Sequence, residues 1–475
     1  MFLFRIFYIV KKLFDYFKSI KYNHNEFKNI CVQLYKIGRD LIMILGLAGF
    51  LMLFLMMWLL FKSKTIPLVV FITVPVLVAF LAGFSIPEVV KFIEKGIGKT
   101  SKMAILFIFS VTYFGIMSDA GMFDGIVDKL VKKAGTNVIG IAVVTALIAI
   151  FSHLDGATVT TVLVTVPALL PLYRKLNIRP QLLLLIVGAG MGVMNLLPWG
   201  GPVARAAAVL GMDPNELWRY MIPIQILGVF TTIGLAVICA MREIKYHNAG
   251  KIQENEEISI NEKKENKGID LKRPKLTIFN LILTGVVLFT LLLDKFPTYF
   301  VFMMGCSIAL IVNYPNPKDQ KNRIKAHAPA AVDVASVMLG AGIMVGVLSN
   351  SGMLESMTIP LLKIIPGFIA TKLHFVMGIL SLPLGLILGT DSYFYGLMPL
   401  AIEVGKNYEI APLTMAIAMS IGKNLSLFIS PLVPATFLGI GLVNIELKDH
   451  IKYSFGGLFA VSLLMLAFSS FIEMI

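Results

Sequence analysis

Apolar runs of roughly 20 residues, the length a helix needs to cross a ~30 Å hydrocarbon layer, recur from residue 41 almost to the end of the chain. A segment in hydrocarbon must satisfy its own backbone N–H and C=O groups, and a helix does so internally. The expected fold is therefore an all-α polytopic membrane protein. Hydrophobic residues fill 57% of the 475 positions and charged residues 15%, with a mean hydropathy of +0.82. A soluble domain with a single anchor is excluded. The formal charge of +14 is spread over short segments between apolar runs, a pattern of topology signals and anionic-lipid contact rather than of nucleic-acid binding. Cys31, Cys239 and Cys306 lack metal-ligand spacing and point to neither a disulfide nor zinc.

The chain is a duplication. Phe114 to Asp124 aligns with Val345 to Glu355, placing Gly115 and Gly346 231 positions apart. Pro67 and Pro87 match Pro297 and Pro317, Asn195 matches Asn424, and Gly211 and Glu216 match Gly441 and Glu446, at offsets of 229 or 230. Four regions follow: a basic amphipathic N-terminal arm (1–40), a first transporter repeat (41–241), a polar charged linker (242–271) and a second transporter repeat (272–475). Arg5 interrupts the apolar stretch of the arm and no small-residue cleavage site follows, so it reads as a segment on the membrane surface rather than a signal peptide.

Within the first repeat, full spans fall near 41–61, 66–84, 103–118, 181–210 and 220–241, leaving 138–172. That segment is interrupted at Ser152-His153-Leu154-Asp155-Gly156, and arms of roughly 15 residues are short for a crossing. It reads as a re-entrant hairpin. Five spans plus a hairpin that returns to its own side make an odd number of crossings, so the second repeat enters upside down. The architecture expected is two inverted-topology repeats, each about five transmembrane helices plus a re-entrant hairpin and a broken helix, as in many secondary transporters. Two full spans in place of the hairpin would make the repeats parallel. Lys132, Lys133, Arg174, Lys175, Arg179, the linker and Lys318 to Lys325 mark their side as cytoplasmic. The basic arm argues for the opposite side. The location expected is the inner (plasma) membrane, multi-pass.

A transporter needs irregular backbone at membrane depth, where free N–H and C=O groups replace the hydration of an ion or anion. Four interruptions qualify: the tip Ser152 to Thr161, its mate Gly389 to Gly396, the break Asn195 to Pro202, and its mate Asn424 to Thr436. An aspartate in mid-membrane costs ~2.5–3.5 kcal/mol on insertion scales, so Asp155 and Asp391 require a cation, a proton or a positive partner. Both are candidates for the coupling ion or proton, with His153 as an adjacent proton carrier. The alternatives are capping of the following helix for each aspartate, and a bond to a nearby carbonyl for His153. After each break a short helix resumes with its positive dipole end toward an anion. Candidate substrate ligands are Ser152, Thr158, Asn195, Ser392, Asn424, Ser430 and Thr436 through side chains, and Gly200 and Gly201 through backbone N–H groups. Arg205 could clamp a carboxylate in a forked geometry, or instead snorkel or bridge helices. Trp199, Tyr393 and Tyr395 serve packing or binding. Asp119 and Asn350 read as turn or cap residues, and Glu216 and Glu446 as structural. No His-Glu-x-x-His, Gly-x-Ser-x-Gly or nucleotide loop is present, which argues against an enzyme.

Several of these segments carry a family resemblance: Tyr113-Phe114-Gly115-Ile116-Met117 with Asp119-Ala120-Gly121, Asp155-Gly156-Ala157-Thr158 with Thr160-Thr161, Asn195 through Pro202 with Ala204-Arg205-Ala206, Asp391 through Gly396, and Ser430 through Thr436. From about residue 42 onward the chain resembles the citrate–divalent metal:proton symporter family (CitMHS) of the ion transporter superfamily. The resemblance implies uptake of citrate complexed with Mg²⁺ or Ca²⁺, coupled to protons, by alternating access. The metal would travel with the substrate, near Asp155 and Asp391, and no cofactor would be permanently bound. Other readings on the same scaffold are a carrier of another di- or tricarboxylate or organic anion, and a sodium/proton antiporter. A homodimer is implied by the wider superfamily alone.

Overall fold

The computed structural model describes residues 24–61, 65–122, 127, 130, 131, 135, 137–247, 271–293, 295–364 and 366–475. Residues 1–23 of the basic arm, Lys132, Lys133 and residues 248–270 of the linker lie outside the described residues. The first part of the chain forms α1 (His24–Phe61), α2 (Pro67–Leu81), α3 (Ile86–Asp119), α4 (Val138–Ser152), α5 (Thr158–Lys175), α6 (Pro180–Met194), α7 (Gly201–Leu210) and α8 (Pro214–His247). The second forms α9 (Thr277–Leu293), α10 (Thr298–Asn313), α11 (Pro317–Asn350), α12 (Met353–Ile364), α13 (Leu373–Ile387), α14 (Met398–Lys406), α15 (Pro412–Ser426), α16 (Pro434–Val443) and α17 (Leu447–Phe471). Among the described residues there is no strand, and eight helical stretches are long and apolar enough to cross a membrane. The protein is all-α and multi-pass.

Sequence chemistry sets the helix starts. Pro67, Pro180, Pro214, Pro317, Pro412 and Pro434 each open a helix, where the missing N–H has no partner to lose and the fixed φ is already helical. Asn137 accepts from the backbone N–H of Ile139 at 2.9 Å and so caps α4, and Asn316 accepts from Lys318 at 2.9 Å and caps α11.

Span limits read from hydropathy need three corrections. The span expected at 103–118 is the second half of α3, a helix of 34 residues. At ~1.5 Å per residue it is about 51 Å long, far more than a bilayer core. Hydropathy fails before the helix does: Lys91, Glu94, Lys95, Lys99 and Lys102 lower the average, yet Lys and Glu are good helix formers. The span expected at 181–210 is two helices, α6 and α7, separated by the Asn195–Gly200 break. The span at 66–84 shortens to the 15 residues of α2.

α3 and α11, each of 34 residues and at matched positions of the repeated sequence pattern, pack on each other. Their contacts are reciprocal. Gly96 of α3 lies against Gly346 of α11, 2.9 Å from its Cα to the position a Cβ would take. Adding 231 to 96 and subtracting it from 346 gives His327 and Gly115, and the His327 ring indeed covers Gly115. Likewise Lys95 donates to Asn350 at 3.4 Å, while Asp119, the mate of Asn350, holds Arg323 at 3.0 Å and His327 at 2.8 Å. Asp119 and Asn350 thus brace the crossing of the two helices rather than simply ending them.

A second brace fixes the start of α6. Glu243 of α8 is fully buried and accepts from Arg179 Nε at 2.8 Å, Arg179 Nη2 at 2.6 Å and Tyr453 Oη at 2.9 Å. The Arg179 guanidinium also lies 4.8 Å above the Tyr453 ring. Glu243→Ala removes the acceptor for those donors, and because the Arg179 side chain remains partly solvated the loss is expected to cost about 1–2 kcal/mol. The melting temperature of the purified protein reads this; an unchanged value would deny the brace any role in stability.

Candidate functional site

All four interruptions border one cavity of about 870 Å³. The first tip supplies Gly156 and Thr158; the first break supplies Asn195, Gly201, Pro202 and Arg205. The second tip supplies Gly389 to Ser392, and the second break Leu427 and Pro431 to Pro434. Of the residues expected at a binding site, Thr158, Asn195, Gly201, Arg205, Asp391 and Ser392 line it. Ser152, His153, Asp155, Gly200, Asn424, Ser430 and Thr436 are not among its lining residues.

The first tip is a one-turn 3₁₀ segment, His153–Asp155, closed by Gly156 in the left-handed region at φ 70°, a conformation that glycine adopts without strain. Asp155 Oδ1 accepts from Ala157 N at 2.8 Å and holds the turn into α5. His153 is fully buried, with Nδ1 2.7 Å from Thr161 Oγ1 and Nε2 3.2 Å from Asn195 Oδ1. Trp199 Nε1 donates to the Leu154 carbonyl at 2.7 Å. Its ring packs tilted or edge-on against Phe114, Trp218 and Phe302. His153 and Trp199 therefore fasten the first tip to the first break.

The second tip is built differently. After α13 ends, the chain turns at Gly389 and re-enters helix through a π-helical segment, Ser392–Leu397, ahead of α14. The buried Tyr393 hydroxyl donates to the Met419 carbonyl at 2.9 Å, and the Tyr395 hydroxyl to Met338 Sδ at 3.3 Å, so both rings are packing elements. Ser430 Oγ donates to the Leu386 carbonyl at 3.0 Å, and Thr436 Oγ1 to Leu427 at 3.4 Å. Lys423, which the sequence reading passed over, donates through Nζ to the carbonyls of Gly385 at 2.9 Å and Leu388 at 3.1 Å. Its signal was a lone lysine inside an apolar span, next to a residue already marked by the repeat.

One ion pair joins the two halves across the cavity. Arg205, in α7, donates from Nε to Asp391 Oδ1 at 2.7 Å and from Nη1 to the Gly201 carbonyl at 3.0 Å. Its Nη2 and the Asp391 Oδ2 have no partner among the described residues, and the two side chains keep 13% and 18% exposure. A donor and an acceptor thus remain open on the cavity side of a paired charge. Both amide atoms of Asn424, Asn195 Nδ2 and Ser152 Oγ are buried without a hydrogen-bond partner among the described residues, which is uncommon for buried polar groups. No cluster of three His, Cys, Asp or Glu with metal-holding geometry occurs among the described residues.

The family model described as "Citrate transporter" (CitMHS) matches residues 30–422. The chain is 35% identical to the Mg²⁺/citrate complex secondary transporter of Bacillus subtilis (strain 168), over 410 residues that cover 86% of this chain and 94% of that one. It is 34% identical to a citrate transporter of the same organism over equal coverage. Among solved structures, the YdaH transporter of Alcanivorax borkumensis shares the fold, with a TM-score of 0.52 over 79% of this chain and 88% of that one at 14% identity. These relatives are carriers, not enzymes, and with its matched segment running through both tips and the first break, this multi-pass membrane protein belongs to the CitMHS citrate transporter family.

Proposed function

We propose that this protein carries citrate, complexed with a divalent cation such as Mg²⁺, across the membrane by alternating access coupled to proton entry. The observation that carries the reading is the Arg205–Asp391 pair on the cavity wall, with the guanidinium Nη2 and one carboxylate oxygen without a hydrogen-bond partner among the described residues. A metal–citrate complex presents both complements: carboxylates for the guanidinium and the N-terminal end of α7, and a cation for the aspartate. Carrying citrate as a metal complex lowers the desolvation cost of a polyanion at membrane depth. Membership of the family and the Mg²⁺/citrate relative support the same substrate.

Asn195, Thr158, Ser392 and Gly201, which line the same cavity, supply neutral hydrogen bonds to citrate. Ser152, Gly200, Asn424, Ser430 and Thr436, which do not line it, belong to the tips and breaks that form it. Asp155, with His153 beside it, carries the coupling proton. The reciprocal contacts of α3 and α11 support a two-fold relation between the halves, and inverted repeats rocking about that crossing are the proposed route of exchange between the two faces.

Uptake of labelled citrate into proteoliposomes, with and without Mg²⁺ or Ca²⁺, under a proton gradient and then a sodium gradient, tests the whole reading. Metal-dependent accumulation driven by the proton gradient is expected; accumulation driven by sodium alone would replace the coupling ion. Asp155→Asn is expected to lose gradient-driven accumulation by roughly tenfold or more while keeping citrate exchange at equilibrium, because a neutral amide cannot release a proton. A variant that still concentrates citrate as the parent does would remove Asp155 from coupling. Assembly as a homodimer belongs to the same reading, and the mass of the detergent-solubilised protein measures it.

A further inference from the structure

Lys423 sits in the last turn of α15 with its side chain fully buried. Its ammonium donates to Gly385 and Leu388 carbonyls, where α13 ends. The last carbonyls of a helix have no intrahelical donor and carry the negative end of its dipole. The Tyr393 ring adds a π-face 5.5 Å from Nζ. Gly385 makes room for the stem, since a Cβ there would come 2.8 Å from Lys423 Cδ. No carboxylate pairs with Lys423 among the described residues. Its direct contacts are two carbonyl oxygens and an aromatic face, the coordination offered to a free monovalent cation, with the Arg205–Asp391 pair near enough to act on its charge.

Packing alone does not account for a charge in that position. A buried ammonium that touches no carboxylate is expensive, and an uncharged chain of similar volume fills the same space. The first half does so: at the 229-residue offset that relates Asn195 to Asn424, the mate of Lys423 is Met194, also buried. There the tip is fastened to the break by His153–Asn195 and Trp199–Leu154 instead. We propose that Lys423 is a tethered cation, whose ammonium occupies a carbonyl cage in place of an ion from solution and closes the second tip onto the second break. This cage then takes up and releases no ion from solution, and the Lys423 charge acts on the nearby Asp391 as a fixed one.

The experiment uses the purified full-length protein in detergent and in proteoliposomes. Lys423→Ala empties the cage, and its melting temperature is expected to rise with added ethylammonium, or with Na⁺ or K⁺, while choline at equal ionic strength has no effect and the parent protein does not respond. Uptake of labelled Mg²⁺–citrate is expected to fall roughly 100-fold, the scale of two charge-assisted hydrogen bonds, and to recover with the same cation. Lys423→Met keeps the stem and removes the charge; it is expected to purify folded, to melt lower than the parent and to ignore added cations. A Lys423→Met protein that melts and transports like the parent overturns the proposal. So does a folded Lys423→Ala protein whose melting is indifferent to every small cation. The uptake arm rests on the citrate reading, whereas the melting arm contains no citrate, so a parent protein that fails to transport citrate leaves the melting arm decisive.

Discussion

Arg205→Lys should lower citrate uptake by roughly 100-fold, although the charge is conserved, because the site uses the shape of the guanidinium. Nε is committed to Asp391 and Nη1 to the Gly201 carbonyl, leaving Nη2 toward the cavity. A lysine ammonium is a point charge on a flexible stem and cannot hold the second tip, the start of α7 and a substrate carboxylate in one plane. Arg205→Ala goes further. It leaves the Asp391 carboxylate facing the cavity without its partner, a loss of about 3–5 kcal/mol when one member of a buried pair is removed. Asp391→Asn in the Arg205→Ala background should restore stability without restoring uptake, since the double variant relieves the stranded charge but supplies no guanidinium. Uptake and melting temperature, measured on all three variants, separate the two effects. Parent-like uptake by Arg205→Lys would mean that the pair only latches the halves and does not touch citrate.

Gly96→Val and Gly346→Val should each be the most damaging substitutions outside the cavity. A Cβ on Gly96 would fall on the carbonyl oxygen of Gly342, and one on Gly346 would fall on that of Phe92. These are backbone atoms of the facing helix, which cannot swing aside as a side chain can. The helices must separate, and the apposition of Gly342, Gly346, Gly96 and Thr100 is lost along the contact. Overpacking of this kind costs about 3 kcal/mol or more where nothing can yield. Small residues four apart let membrane helices approach closely enough for such packing, and Gly342 and Gly346 have that spacing. Gly98→Ala, on the same helix with no atom within 4 Å of the new Cβ, is the control. It should be neutral or slightly stabilising, by up to about 1 kcal/mol. Equal melting temperatures for Gly98→Ala and Gly96→Val would refute the close crossing.

The two tips show where reading from sequence stopped. Asp155 and Asp391 occupy matched interruptions and were given one role. In the fold they differ: Asp155 turns back on its own backbone at Ala157, while Asp391 pairs with an arginine 186 positions away. Repeat matching compares local strings, and the Arg205–Asp391 pair joins the first break to the second tip, so no local string contains it. Lys423 escaped for a related reason. A single lysine in an apolar span reads as a blemish until the carbonyl ends of α13 are placed around it. Gly115 and Gly346 of the α3–α11 crossing stand out in the sequence only as matched positions, because a small residue signals a close approach only once the facing helix is known.

Sequence alone determined that this chain is helical, crosses the membrane many times, and breaks its helices at four places with matching strings, since hydrocarbon tolerates only self-satisfied backbone and proline and glycine interrupt it locally. The tertiary structure decided that the four breaks face one cavity, that Arg205 and Asp391 meet there across the two halves, and that Lys423 reaches the carbonyl end of α13. Those outcomes depend on how helices far apart in the chain pack against each other. Packing is set by surface shape and buried charge between segments, which a linear pattern does not encode.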